Sequence, residues 1–307
     1  MDNDHIPIRS TKSKKQKLIN RSILNQDEIG TLANKQKPPP LEKKRTPNMR
    51  VKSFAKVNIF LKITGTRGKY HEILSRFMTV NTLFDDVTII QTSGRTDEFS
   101  LEGKFGCSLQ NNLIYKTYMQ LLAECHDPDY VRLFYRNHKV AVEKRIPEFG
   151  GFGGGPSNAA AFIVLSNRVC SLGMTLEEMC CVGANIGADV PFFIHGFESA
   201  NVSGIGEIVE QFPENALDLD LICPDIQCNT GLVYEHYRNN FYEEITLEEN
   251  ISYRKMKSIE VMKSKTASEA NDLFKSTVCL YPELEKHVGE GWLMSGTGSS
   301  MFSLRQR

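Results

Sequence analysis

Five glycines crowd into the six residues from Gly150 to Gly155, interrupted only by Phe152. Before them, Lys139 to Lys144 alternates Val140 and Val142 with polar neighbours, as a strand does. After them, Ser157 to Val169 carries Ala159, Ala160, Phe162, Ile163 and Leu165, a composition that suits a buried helix. A flexible linker rarely joins such a pair, so the order strand, glycine loop, helix is the reading that fits. Glycine admits positive φ and leaves no side chain to block a ligand, while the free N–H groups of the helix start favour an anion. The loop therefore suits a phosphate. No Gly-Lys-Ser/Thr follows the glycines, which excludes a P-loop, and the dinucleotide fingerprint fits poorly because no ribose-binding acid on a βαβ unit is evident.

The 307 residues suffice for one large domain or two moderate ones, and the net charge is zero. That charge is unevenly placed. Residues 1–48 hold 11 Lys/Arg against 5 Asp/Glu, which leaves 26 against 32 for the remainder. The first 48 residues, rich in Lys, Asn, Gln and Ser, predict a disordered basic extension, and the mildly acidic body gives no case for nucleic-acid binding. The extension's acids argue against a transit peptide, though a role for it in partner or nucleic-acid binding stays open. Eight scattered cysteines show no Cys-x-x-Cys pair or zinc spacing, and no apolar run reaches a membrane-spanning length. Free thiols in the cytoplasm, no dedicated metal site and no membrane partner are the expectations.

Residues 50–64 read as a strand that puts Lys56 and Asn58 on one face, with Lys62 further along it. Gly65 to Gly68 predict a turn, followed by Tyr70 and His71, which are either surface residues or flat faces for stacking a base. A strand pair is expected across 77–83 and 87–91. Gln110-Asn111-Asn112 opens a helical pattern with Asn as its cap, and Thr175 with Glu178 predicts a capping box for a helix ending near Gly187. Asp189 sits among Ala, Val, Pro and Phe, where an ionised carboxylate needs a partner. A cap and a catalytic base both satisfy that. Residues 200–207 predict a loop or hairpin between two halves, 218–223 a strand, and 229–234 a helix start. Further helix starts are expected at Thr246 and across 268–274, and 292–304 predicts a second glycine turn between apolar segments.

With Lys56-x-Asn58, the loop at 147–157, the segment Gly187-Ala188-Asp189-Val190-Pro191-Phe192 and Ser295-Gly296-Thr297-Gly298-Ser299 in order, the chain resembles the GHMP small-molecule kinases from Met49 onward. The loop ending Gly-Gly-Gly-Pro-Ser-Asn-Ala and the pair Tyr70-His71 narrow the resemblance to the branch acting on a cytidyl-linked methylerythritol. It implies an α+β, two-domain fold with the active site in the inter-domain cleft, divided as 49–203 (ATP-binding) and 204–307. It implies ATP-dependent phosphorylation of the 2-hydroxyl of 4-diphosphocytidyl-2-C-methyl-D-erythritol in the non-mevalonate isoprenoid pathway, with Mg²⁺ arriving on the nucleotide. Asp189 would take the hydroxyl proton beside Lys56. Pro147, Glu148, Phe149, Gly150, Gly151, Phe152, Gly153, Gly154, Gly155, Pro156 and Ser157 would cradle ATP, with Asn112 and Lys144 near its adenosine. Asn58 would meet the alcohol, and Tyr70, His71, Phe77 and Tyr234 would form the cytosine pocket. Two departures, Phe149 in place of a small residue and Pro156 in place of Ser or Thr, keep a weakened, ligand-binding relative open beside another GHMP kinase.

Overall fold

The alternation read across 50–64 becomes the first of two long antiparallel strands, β1 (Arg50–Arg67) and β2 (Tyr70–Gln91). The computed structural model describes residues 49–148 and 150–306; the basic extension expected over 1–48, together with Phe149 and Arg307, lies outside them. The turn expected at Gly65 to Gly68 narrows to Gly68, at φ +61°, and Lys69. Gly65 instead sits at a register shift within the strand pair, where a residue without a side chain is easily absorbed. The two strands expected across 77–83 and 87–91 are likewise one strand. Strand β2 borders β1 along one edge; along the other, residues 86–91 pair with β4 (His138–Glu143) and 73–78 with β5 (Ser199–Gly204). Short strands β3 (Leu101–Glu102) and β6 (Ile208–Gln211) complete a six-stranded sheet of order β3-β4-β2-β5-β6. The hairpin expected across 200–207 is β5–β6, so the division at 203/204 falls inside it, and the large sheet runs on to Gln211.

Five helices fall between β3 and β5 in the chain: α1 (Leu113–Glu124), α2 (Pro128–Arg136), α3 (Gly154–Val169), α4 (Leu176–Ile186) and α5 (Val190–His195). Val87, Ile89, Val140 and Val142 of the sheet share a core with Leu121, Tyr135, Phe162, Ile163, Val182 and Val190 of these helices. Asn112 caps α1 by accepting the Ile114 N–H at 2.9 Å, and the Thr175–Glu178 capping box opens α4.

A three-stranded sheet of order β7-β9-β8 holds the C-terminal glycine turn between β8 (Leu293–Met294) and β9 (Met301–Leu304), with β7 (Leu219–Ile222) alongside. Helices α6 (Thr230–Asn240) and α7 (Leu247–Lys255) start at the capping residues Asn229 and Thr246; α8 (Ser258–Ser264) follows. The helix expected across 268–274 splits into α9 (Ala267–Ala270) and α10 (Phe274–Leu280). Asn271 causes the break: its side chain accepts the Leu273 N–H and donates to the carbonyls of Met294 and Gly296. A second core joins Ala55, Val57 and Ile59 of β1 to Phe152, Leu219, Tyr253, Val261, Leu293 and Phe302. Among the described residues no helix is long and apolar enough to cross a membrane. All eight cysteines are free thiols.

Candidate active site

A cavity of about 540 Å³ opens where the glycine loop, β1, the start of α5 and the turn at 295–299 converge. Its lining includes Lys56, Asn58, Phe77, Asn112, Lys144, Pro147, Glu148, Asp189 and Tyr234. Residues 150–156 contribute one wall. At its head α3 begins with Gly153 as N-cap, and the first helical bond is donated by Ser157 N–H to the Gly153 carbonyl. The N–H groups of Gly154 and Gly155 precede that bond and have no helical acceptor, so they are available to an anion. Pro156, third in the helix, has no N–H to lose and is well accommodated in a first turn.

Two glycines in this loop are required by geometry. Gly151 has φ +81°, and a Cβ there would sit 2.5 Å from the Ser295 carbonyl oxygen. Gly153 has φ +70°, and its Cβ would meet the Phe193 ring at 2.9 Å and the Lys56 side chain at 3.2 Å. The two glycine segments, about 145 residues apart in sequence, thus press directly together, and Ser295 Oγ donates to the Gly151 carbonyl at 3.1 Å. Such approach is closed to any residue with a side chain.

Lys56 is buried, and its Nζ donates to Asn58 Oδ1 at 2.6 Å, lies 3.4 Å from Asp189 Oδ2, and stands 4.5 Å above the Phe77 ring. Asp189 occupies the N-cap position of α5 but makes no capping bond with its side chain, which stays about a third exposed to the cavity. Of the two readings open for Asp189, position favours a cap and bonding favours a partner for Lys56. Asn58 is held at both ends of its amide: Nδ2 donates to Ser75 Oγ at 2.9 Å while Oδ1 receives Lys56. Its amide oxygen orients the lysine, and the residue itself lines the cavity.

The alternation that placed Lys62 beside Lys56 fails at a bulge. Asn58 pairs with Phe77 and Phe60 with Arg76, leaving Ile59 as the extra residue. Parity reverses there. Leu61 consequently lines the cavity, and Lys62 turns to a tight ion pair with Asp272 elsewhere.

A second cavity, about 460 Å³, is lined by Tyr70, His71, Ile205, Thr230, Tyr234 and Arg238, and it shares Ile205, Thr230 and Tyr234 with the first. His71 stacks on Tyr234 at 5.2 Å. Burial, then the Arg238 charge, push the His71 pKa below its ordinary value. Burial and then Asp189 raise that of Tyr234. Phe77 does not join this group. Six residues further along β2, it lies about 20 Å from His71 at ~3.3 Å per residue, beneath Lys56.

Ser157 also departs from expectation. It is buried, its N–H closes the helix, and its hydroxyl accepts from Ser53 Oγ at 2.7 Å, so it does not line the cavity. Lys144 sits beneath the helix start, its Nζ 2.5 Å from Asp85 Oδ2 and 3.3 Å from where a Gly154 Cβ would stand. Asp85 has no counterpart among the sequence expectations, and Asn158, Ser295 and Thr230, though they fall in expected segments, carry no site role there. Asp85 stands beside Asp86 in the gap between the two strands expected at 77–83 and 87–91, so no local signal separates it from an ordinary turn acid.

Residues 112–197 match the GHMP kinases N terminal domain family. The chain is 43% identical to 4-diphosphocytidyl-2-C-methyl-D-erythritol kinase of Sulfurimonas denitrificans, over 83% of this chain and 97% of that protein. It is 35% identical to the enzyme of the same name from Campylobacter jejuni subsp. jejuni serotype O:6, over 83% of this chain and 99% of the relative. Among solved structures, a 4-(cytidine 5'-diphospho)-2C-methyl-D-erythritol kinase matches with a TM-score of 0.65 at 26% identity, covering 84% of this chain and 90% of the other. The Methanococcus jannaschii mevalonate kinase, at 14% identity and a TM-score of 0.52 over 85% of this chain and 92% of its own, shares the fold.

Proposed function

The chain belongs to the 4-diphosphocytidyl-2-C-methyl-D-erythritol kinases within the GHMP kinases, and from that premise we propose that it transfers the γ-phosphoryl group of ATP to the 2-hydroxyl of 4-diphosphocytidyl-2-C-methyl-D-erythritol, a step of the non-mevalonate isoprenoid pathway. The observation that carries the site assignment is the Lys56 Nζ to Asp189 Oδ2 approach of 3.4 Å on a cavity whose other wall is the glycine loop.

In this reading the amides of Gly154 and Gly155 and the dipole of α3 hold the triphosphate. Asp189 accepts the proton of the alcohol as its oxygen bonds to the γ-phosphorus, and the bond from that phosphorus to the β-γ bridging oxygen breaks to release ADP. Lys56, held by Asn58, lends positive charge where the alkoxide develops. The acceptor's cytosine is assigned to the aromatic cavity of Tyr70, His71 and Tyr234, with Phe77 supporting Lys56 instead. Two carboxylates line the main cavity, Glu148 and Asp189, a sparse oxygen set that suits a Mg²⁺ carried largely by the nucleotide. Glu148 or Asp189 would hold such an ion together with the nucleotide, and it would supply positive charge against the transferred phosphoryl group. Eight free thiols support a reducing compartment, and we assign the protein to the cytoplasm.

The test is ADP release with ATP and a panel of alcohols: the cytidyl-linked methylerythritol, mevalonate, homoserine and a sugar. Turnover confined to the cytidyl substrate is expected. Turnover of another alcohol alone would overturn the acceptor assignment, and ADP release with none of them would overturn the reaction.

A further inference from the structure

Asp85 lies on β2, is wholly buried, and receives four hydrogen bonds. Its Oδ1 accepts the backbone N–H groups of Arg145 at 2.6 Å and Ile146 at 2.8 Å. Its Oδ2 accepts Lys144 Nζ at 2.5 Å and Asn158 Nδ2 at 2.9 Å. The donors divide by place in the chain. Residues 144–146 form the segment that leaves β4 and enters the glycine loop, and Asn158 stands in the first turns of α3, where the loop ends. One carboxylate therefore ties together both ends of the loop. Asn158 extends the tie by donating to Ser53 Oγ at 2.9 Å, anchoring it to β1.

We infer that Asp85 is the positioning residue that sets the glycine loop for ATP, acting through Lys144, Asn158 and the backbone at 145–146. The inference rests on the kinase reading above. A loop of successive glycines has little intrinsic preference for one conformation, so its shape must be imposed from its ends. A carboxylate suits that task because it is an acceptor on both oxygens and so can satisfy four converging donors. An amide would turn two of its own N–H groups against Lys144 and Asn158. Removing the charge also leaves Lys144 buried without its partner, and such loss is costly. Lys144 Nζ lies close beneath Gly154, so its displacement would move the start of α3, where the free amides are. Misplacement of about 1 Å suffices to cost ~10²-fold in a positioned reaction.

The experiment compares wild type, Asp85→Asn and Asn158→Ala at a temperature where each is folded, measuring KM for ATP, KM for the cytidyl alcohol and direct ATP binding by calorimetry. Asp85→Asn is expected to raise KM and Kd for ATP at least tenfold, with KM for the alcohol within threefold. Asn158→Ala, which removes one donor, is expected to raise KM for ATP about threefold, and it carries the test if Asp85→Asn does not fold. Unchanged ATP constants in the folded variants, or equal rises for both substrates, would overturn the inference. Wild type separates the two failures: if it turns over no cytidyl alcohol, the kinase reading fails, whereas active wild type beside an unaltered variant sinks the role of Asp85 alone.

Discussion

On the glycine-loop side of the cavity the backbone itself forms the wall, and it is fixed from behind by buried groups: Ser295 on the Gly151 carbonyl, Asp85 on Lys144 and Asn158, Lys56 N–H on the Phe152 carbonyl at 2.9 Å. On the Tyr70 side the wall is made of rings, and Tyr70 itself is 53% exposed. The first wall suits a ligand whose charge and acceptor oxygens are always the same, a triphosphate read by amides. The second suits a flat, partly apolar group that is read by stacking and by shape. Lys56 and Asp189 line the first cavity, which shares Ile205, Thr230 and Tyr234 with the second, and in the proposed reading the transfer takes place beside them.

The sharpest way to break this division is at the junction. Asp189→Asn keeps the shape and removes the base, so kcat is expected to fall by ~10²–10⁴-fold with both KM values little changed. Steady-state kinetics at saturating ATP and alcohol measure it, and near-full turnover would remove Asp189 from the role of base. Next comes the rigid wall. Gly151→Ala forces a Cβ to within 2.5 Å of the Ser295 carbonyl oxygen at a φ of +81°, so the loop or the 295–299 turn must shift. A loss of ~10² in kcat/KM for ATP is expected from that displacement, read by varying ATP at fixed alcohol. An active Gly151→Ala enzyme would mean that the wall is softer than its packing implies.

How far each wall was legible in the sequence follows from the same contrast. The glycine run with its flanking strand and helix is readable because local chemistry dictates it. A lone acid such as Asp189 among apolar residues demands a partner but leaves cap and base open, and its role beside Lys56 comes from the resemblance. The support behind the loop is not readable, because Asp85 meets Lys144 and Asn158 through pairings 59 and 73 residues distant in the chain. Lys62 was misassigned because a single bulge at Ile59 reverses which residues share a face, and alternation alone carries no sign of it. The resemblance groups Phe77 with Tyr70 and His71, yet an extended strand separates residues by length, and Phe77 lines a different cavity from that pair. Helix α2 has no counterpart among the sequence expectations although Asp127 caps it and Pro128 opens it, with Val131 and Tyr135 buried one turn apart. The 3.6-residue period is hard to read in nine residues.

The aromatic wall should respond differently. Tyr70 lines only the second cavity, so Tyr70→Ala is expected to raise KM for the cytidyl alcohol about tenfold, the scale of one lost base stack, with KM for ATP unchanged. A parallel rise in both constants would show that the two walls are not independent.

The smallest expected effect concerns pH, and it again separates the walls. His71 is 6% exposed, stacked on Tyr234 and bordered by the rings of Tyr237 and Tyr242. Arg238 Nε donates to His71 Nε2 at 3.4 Å, a bond that requires the ring nitrogen to be unprotonated. Burial and then the Arg238 charge lower the folded-state pKa, whereas the unfolded chain titrates near the ordinary 6.5. Above 6.5 the ring is neutral in both states and pH does nothing. Below it the unfolded chain takes up a proton that the folded protein refuses, so stability falls until the pH drops under the folded value. His71→Gln removes this term and leaves every other titrating group in place, including His195, whose pKa burial lowers in the same direction. Between pH 7.5 and 5.5 the wild type should therefore lose more Tm than His71→Gln, by about 2 °C, the scale of a fraction of a proton in a protein of this size. Equal losses would mean that the ring accepts a proton in place, and that the aromatic wall is wetter than its packing implies.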